Sequence, residues 1–249
     1  MNIQFRSIGI LHTCFKEKFG IPRQPNLVKA PGALVFHPEF AREEMVRELD
    51  GFSHIWLLFL FHDSLDAPTG KTPDSFGINT NWSPMVRPPR LGGNQKVGVF
   101  ASRSPFRPNP IGMSPVRLES VETTENGPVL NLSGVDILDQ TPILDIKPYT
   151  PYSDSIPDAR HGFAKGPPKA ALDVRFTVNA LSQIRGREKD YPGLEAIITG
   201  MLEQDPRPAY RSEQETATDE NRVFGTRIFD FDLKWSVQNN RVTVISLDD

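Results

Sequence analysis

Apolar and polar positions change partners along the chain in short stretches. "IQFRSIGILHT", "SHIWLLFLFH", "KVGVFASR", "PVRLESVETT", "PVLNLSGVDIL", "DVRFTV", "TRIFDFDLKWSV" and "NRVTVISL" are rich in β-branched and aromatic residues, and each is bounded by Gly, Pro, Asn or Asp. That pattern predicts strands separated by turns. "ENGP" (125–128) and "QNNR" (238–241) have the chemistry of hairpin connections. Ile55–Phe61, "IWLLFLF", does not alternate, which predicts a strand buried on both faces at the centre of the fold. The sum is a mainly antiparallel, barrel-like β core.

Two segments have the 3.6-residue period instead. "PEFAREEMVRELDGF" (38–52) begins with Pro38, carries Ala41, Met45 and Leu49 on one face and ends at Gly51, predicting a helix that packs on the barrel. "YPGLEAIITGMLEQD" (191–205) places Leu194, Ile197, Ile198, Met201 and Leu202 on one stripe, predicting a helix in a second unit. Between them Thr150–Ala170 is rich in Pro, Gly, Ser and charge, as a long connection is. These features divide the chain into residues 1–170, an antiparallel β-barrel, and 171–249, a small α+β unit.

Composition adds exclusions. Across 249 residues, 38% are hydrophobic and 24% charged, the balance of a globular protein with a sizeable core, and the 23 prolines argue against long helices. The longest wholly apolar run, Ile55–Phe61, is too short for a membrane-spanning helix, and the opening "MNIQFRSIGI" lacks a signal-peptide pattern. One cysteine, Cys14, and five scattered histidines do not form a zinc set. The expectation is a cytoplasmic, metal-free protein without membrane contact.

Charge then singles out one region. The net charge is −3, yet Val86–Leu118 holds Arg87, Arg90, Lys96, Arg103, Arg107 and Arg117 and no acid. Within it, the prolines of "SRSPFRPNPIG" (102–112) restrict Ser104, Arg107 and Asn109 to extended geometry, and Gly112 permits a close turn afterwards. A stiff loop holds arginines at little further entropic cost, and their planar forks match carboxylate or phosphate. A crossover made stiff for folding alone accounts for the prolines but not for the absence of acids. No G-x-G-x-x-G lies between a strand and a helix, so a Rossmann-type nucleotide site is not supported.

"SRSPFRPNPIG" resembles the signature of the TsaA-like, or TrmO, family. The resemblance extends in order through "GIPRQP" (20–25), "FHPEF" (36–40), "LDGFSHIWLLFLFH" (49–62), "LDIKPYTPYSD" (144–154) and "DPRPAY" (205–210), covering almost the whole chain. It implies an S-adenosylmethionine-dependent methyltransferase on a β-barrel, a homodimer that methylates N6 of N6-threonylcarbamoyladenosine beside the anticodon of tRNA. It further implies cofactor contacts at Pro22, Arg23, Gln24, His62, Asp63, Arg90, Asp145, Ile146, Lys147 and Pro148.

On the same view, Arg103, Arg107, Asn109 and Tyr149 meet the substrate, while Arg207 and Tyr210 of the C-terminal unit reach the anticodon arm. Asp63 and Asp145 are candidates for the proton acceptor because they lie in the implied pocket. Other readings stand beside these. His62 and Asp63 suit a strand-end cap, Asp145 and Lys147 a surface ion pair, Tyr149 and Tyr152 the filling of the barrel mouth, and "DPRPAYR" a stiff helix exit. A non-catalytic RNA-binding barrel and a small-molecule methyltransferase are the alternative functions.

Overall fold

The computed structural model describes residues 3–65, 82–92, 94–164, 166, 172–207 and 222–249. Six strands close a barrel: β1 (Gly9–Thr13), β2 (Pro31–Phe36), β3 (His54–Leu60), β6 (Ile111–Thr124), β7 (Gly127–Ser133) and β8 (Thr141–Pro148). Their order around it is β1-β2-β7-β6-β3-β8, with every neighbouring pair antiparallel. A two-stranded ribbon of β4 (Met85–Val86) and β5 (Val97–Gly98) stands outside it.

The alternation seen in the sequence becomes the inside and outside of this barrel. On β6, Gly112, Ser114, Val116 and Leu118 are buried while Met113 and Arg117 are exposed. On β3, Ile55, Leu57 and Phe59 are buried, and the intervening Trp56 and Leu58 are half-buried rather than sealed. The unbroken apolar run therefore reflects a partly covered outer face. In a closed barrel every strand has two partners, so no strand is more central than another.

Both expected hairpins form. Thr124 pairs with Gly127 across the "ENGP" turn, and Gln238 pairs with Arg241 across "QNNR". In the latter, Asn239 and Asn240 take φ of 49° and 60°, the mirror-image turn that favours Asn.

The helix expected over 38–52 does not form. The segment makes two 3-10 turns, Glu43–Val46 and Leu49–Gly51. Arg42 and Arg47 are extended there, with ψ of 132° and 134°, and Glu48 is left-handed at φ 64°. No i to i−4 ladder can cross such residues. Val46 is the buried anchor and Met45 is exposed, while Ala41 and Leu49 of the expected face still pack partly buried against the core.

The C-terminal unit is a four-stranded sheet ordered β10-β11-β12-β9, from β9 (Asp173–Phe176), β10 (Val223–Ile228), β11 (Phe231–Gln238) and β12 (Arg241–Asp248). "TRIFDFDLKWSV" is thus two strands, not one, reversing at Phe229–Asp230 with Phe229 at φ 52°. Only β9 and β12 run parallel. A short helix α1 (Pro151–Asp154) follows β8, and the crossover from β9 to β12 contains α2 (Val178–Arg187) and α3 (Leu194–Glu203). The α3 stripe is buried at all five positions its period indicates.

The barrel and this sheet share a core. The segment after β1 bridges them: Phe15 pairs with Ile228, Phe229 N–H donates to Cys14 O at 2.8 Å, and Arg227 N–H donates to Glu17 Oε1 at 2.9 Å. Phe19 stacks on the fully buried Trp235 with ring centroids 6.0 Å apart.

Candidate functional site

A cavity of ≈ 250 Å³ opens at one end of the barrel. Three polypeptide stretches far apart in sequence meet there: Pro22–Gln24 after β1, Phe59 and Phe61 at the end of β3, and the arginine-bearing crossover into Ile111–Ser114 of β6. Asp136, from the β7–β8 loop, completes the lining. Because Gly112 and Ser114 belong to the inward face of β6, the cavity reaches into the barrel interior.

The crossover is braced by its own hydrogen bonds. Ser104 N–H donates to Ser102 Oγ at 3.3 Å, Phe106 N–H to Ser104 Oγ at 3.3 Å and Arg107 N–H to Pro105 O at 2.8 Å. Phe61 N–H donates to Pro110 O at 2.8 Å and ties its end to β3. The prolines supply stiffness and these bonds supply the address, so Arg103 and Arg107 both face the cavity.

Gly112 has a different part from the expected turn. It sits opposite Phe59 in the β3–β6 register, and a Cβ there would fall 2.2 Å from Phe59 Cζ. The ring that walls the cavity lies over the space where a side chain would be.

Among the implied cofactor contacts, Pro22, Arg23 and Gln24 line the cavity. Arg103 Nη1 donates to Gln24 Oε1 at 2.8 Å, and Arg23 Nη2 donates to Asp205 O at 3.3 Å. Burial lowers the pKa of Arg23, with Asp205 acting against that and nearby Arg90 acting with it. Arg90 itself donates to Gly166 O at 2.7 Å.

The remaining implied contacts lie outside the lining. His62 and Asp63 form a 3-10 turn after β3, with His62 Nδ1 3.4 Å from Thr141 Oγ1. Burial holds the His62 imidazole below its ordinary value despite neighbouring Asp63. Asp63 is paired with Lys18 at 2.7 Å.

Asp145, Ile146, Lys147 and Pro148 form the end of β8, opposite Leu58, Leu57, Trp56 and Ile55. The pairing slips just before them, since Phe59 already faces Ile143. Asp145 and Lys147 make the surface ion pair at 2.9 Å that their sequence spacing also permits.

Tyr149 packs on Trp56 and His54, with centroids 5.7 and 6.3 Å away, and Trp56 Nε1 donates to Asp154 at 3.1 Å. Tyr152 is 93% exposed and fills nothing. Asn109 belongs to the crossover, where its carbonyl accepts from Ile111 N–H. Arg117 points away and pairs with Glu119 at 3.2 Å.

Arg207 is turned inward rather than offered to a surface partner. It is buried and grips Asp205 through Nε and Nη2 at 2.8 and 2.9 Å. The same Asp205 receives Arg23 at its carbonyl, so the exit of α3 links the C-terminal unit to the cavity. Tyr210 lies outside the described residues.

Asp136 is the lining residue that the motifs did not mark. Its neighbours Val135 and Ile137 are sunk in the core, and the backbone on either side is pinned by Gly134 N–H to Ala30 O at 2.9 Å and Thr13 Oγ1 to Ile137 O at 2.9 Å. The residue keeps some surface, but its Oδ1 is enclosed and has no hydrogen-bond partner. Burial pushes its carboxyl up to about 6, while the Ser114 hydroxyl, its own N–H and the charge of Arg103 pull the other way. The one hint in sequence was an acid between apolar residues in "GVDIL".

The arrangement offers guanidinium forks and an amide for an anionic or polar ligand, an apolar wall for a ring, and one enclosed acceptor. Similarity to known proteins is extensive. The model of the tRNA-methyltransferase O N-terminal domain matches residues 10–155, and that of the TrmO C-terminal domain matches 169–249. An Escherichia coli protein named tRNA (adenine(37)-N6)-methyltransferase is 42% identical over 99% of this chain and 98% of its own. A Pseudomonas aeruginosa protein named putative S-adenosylmethionine-dependent methyltransferase RcsF is 45% identical over 92% of this chain and 90% of its own. A crystal structure of TrmO from P. aeruginosa superposes with a TM-score of 0.77 at 34% identity, covering 100% of this chain and 99% of that one.

Proposed function

The chain belongs to the tRNA-methyltransferase O family, and from that premise we propose that it carries the methyl group of S-adenosylmethionine to N6 of adenosine 37 in tRNA, with the threonylcarbamoylated nucleoside as its substrate. The observation that carries this reading is the cavity lined by Arg23, Gln24, Arg103, Arg107 and Asp136 at the barrel end. Its donor set fits the proposed reactants. Guanidinium forks suit the carboxylate of an amino acid moiety or a backbone phosphate, and the Phe59, Phe61, Ile111 and Met113 wall suits a purine face.

When bound, S-adenosylmethionine supplies an electrophilic methyl group. Much of what is then required of the protein is geometry and field. The accepting nitrogen must lie in line with the S–CH3 bond, and holding two reactants so accounts for much of the acceleration in such transfers. The braced crossover does this without ordering cost, because its arginines are already tied to Gln24 and to the loop backbone.

A volume of ≈ 250 Å³ is slightly below the ~300–1,000 Å³ of typical small-molecule sites, room for one nucleoside-sized group. The second reactant therefore comes over the rim, where Arg90 stands close enough to Arg23 to act on its charge and His62 follows the lining residue Phe61. On this reading residues 1–170 carry the chemistry and residues 171–249 contribute tRNA contact. Arg207 serves by bracing Asp205 at the exit of α3 rather than by touching RNA. The protein acts as a homodimer in the cytoplasm.

The test is incubation with S-adenosylmethionine and tRNA carrying or lacking the threonylcarbamoyl group, followed by mass spectrometry of the nucleosides. The expected product is N6-threonylcarbamoyladenosine heavier by one methyl group. Methylation of unmodified adenosine alone would overturn the substrate, and absence of any methylated nucleoside would overturn the activity. Light scattering after size-exclusion chromatography tests the dimer.

A further inference from the structure

The proposed transfer has to dispose of one proton. As the N6 lone pair forms the new N–CH3 bond, the S–CH3 bond breaks and its electron pair leaves on sulfur as a neutral thioether. The nitrogen then carries positive charge until its N–H bond gives up the proton. Charge developing in a site walled by Arg23, Arg103 and Arg107 is unfavourable, so an acceptor in reach matters more here than in water.

The two carboxylates singled out by motif are poorly placed for this. Asp63 is half exposed and neutralised by Lys18 at 2.7 Å. Asp145 is half exposed, paired with Lys147 at 2.9 Å, and accepts from Ile146 N–H at 3.0 Å. Neither lines the cavity.

Resting on the methyltransferase reading above, we infer that Asp136 Oδ1 is the atom that takes the N6 proton. Two buried side-chain oxygens among the described residues lack a hydrogen-bond partner, Asp136 Oδ1 and Gln204 Oε1, and of the two only Asp136 lines the cavity. An enclosed carboxylate oxygen with nothing to bond is costly to keep. A ligand N–H arriving in the cavity satisfies it.

The fold also holds the group still. Val135 and Ile137 are 1% and 2% exposed on either side, so the backbone that carries the carboxyl is anchored in the core. Asn26 N–H donates to Gly134 O at 2.9 Å and Asn26 Nδ2 to Pro115 O at 2.9 Å, which locks the loop to the same β6 that presents Ser114.

The acid strength suits the task. Burial pushes the carboxyl up to about 6, so it is ionised at neutral pH and still basic enough to accept. The charged groups that share its cavity are Arg23, Arg103 and Arg107, and Arg103 is the one that pulls its value down. After transfer the proton passes to solvent through the open side of the cavity.

The test compares wild type, Asp136→Asn and Asp136→Glu in single-turnover methylation of tRNA from about pH 5 to about pH 9. S-adenosylmethionine affinity is measured by calorimetry on the same proteins, and the carboxyl is titrated by carbon-13 NMR of aspartate-labelled protein. The wild-type rate should rise about tenfold per pH unit below about 6 and then level, in step with one titrating carboxyl. Asp136→Asn should lose on the order of 10²- to 10⁴-fold in rate and lose that slope, with affinity changed less than about threefold, while Asp136→Glu recovers part of both.

A rate for Asp136→Asn within about threefold of wild type would overturn the assignment. So would a rate loss matched by an equal loss of affinity, which marks a binding role. Should the variants fail to fold, a flat wild-type profile together with a carboxyl titrating at the ordinary aspartate value overturns it alone. A wild type that methylates nothing sinks the methyltransferase reading itself, a different outcome from active wild type with active Asp136→Asn.

Discussion

Arg103 and Gln24 meet across the cavity mouth: Nη1 of the first donates to Oε1 of the second at 2.8 Å, joining two segments 79 positions apart in sequence. The contact fixes the arginine's fork before any ligand arrives, and both residues line the cavity. Gln24→Ala should weaken S-adenosylmethionine affinity by roughly tenfold, read by calorimetry. Its melting temperature should move by less than about 4 °C, because an exposed hydrogen bond contributes only about 1 kcal/mol. A large fall in stability with affinity intact would contradict the proposed role of this pair.

Arg90 lies outside the lining but close enough to Arg23 to lower its value. Its hydrogen bond to Gly166 O is exposed and structurally minor. Arg90→Ala should reduce S-adenosylmethionine affinity while leaving urea unfolding nearly unchanged. Unchanged affinity would remove Arg90 from the site.

Gly112→Ala places a methyl 2.2 Å from Phe59 Cζ. The ring is 4% exposed and cannot simply step aside. Overpacking of this kind costs about 1–3 kcal/mol, measurable by urea denaturation, and the displaced ring should narrow the cavity and slow methyl transfer.

Asp205 holds Arg207 by a bidentate pair and Arg23 by its backbone carbonyl. Asp205→Ala strips that acceptor from a buried guanidinium, at a cost of roughly 3 kcal/mol in urea unfolding. Since the carbonyl survives, affinity for S-adenosylmethionine should fall less than in Gln24→Ala. An equal fall would mean that the side-chain pair, not the backbone bond, positions Arg23.

Stability should carry the mark of Asp136. Its folded-state value of about 6 stands above the ordinary aspartate value of 3.8, so folding favours the protonated form. The resulting stabilisation is complete below pH 3.8 and is lost as pH rises through about 6. Asp136→Asn should therefore be more stable than wild type at neutral pH by about 1–3 kcal/mol, by urea denaturation, and the difference should shrink toward acid pH. A destabilised variant at neutral pH would show that the ionised carboxylate is held by more than Ser114 and Arg103.

How much of this was legible in the chain depends on the range of the forces involved. Hairpins at "ENGP" and "QNNR" and the α3 stripe rest on neighbours within a turn, and they form as read. Helix α2 was not anticipated, since only Ala180 and Ile184 are buried and Val178 is 88% exposed. Strand β2 begins with Pro31 and Gly32, residues that locally argue for a turn, yet β1 and β7 pair with it on both sides. Over 38–52, burial of Val46 against the barrel outweighed a helical period that would have buried Met45 instead.

The site divides in the same way. Proline spacing and the missing acids are properties of the chain and singled out Arg103 and Arg107, while the family resemblance marked Arg23 and Gln24 for the cofactor; that the four line one cavity is seen only in the fold. Desolvation is not such a property. Whether an aspartate meets a lysine in water, as Asp63 and Asp145 do, or faces an enclosed cavity, as Asp136 does, depends on Ser114, Arg103 and the barrel wall, brought to it by strand pairing across long stretches of chain. Local sterics and periodicity therefore determined the strands and the stiff arginine loop, while tertiary packing alone decided which carboxylate is shielded from water, because shielding comes from residues remote in sequence.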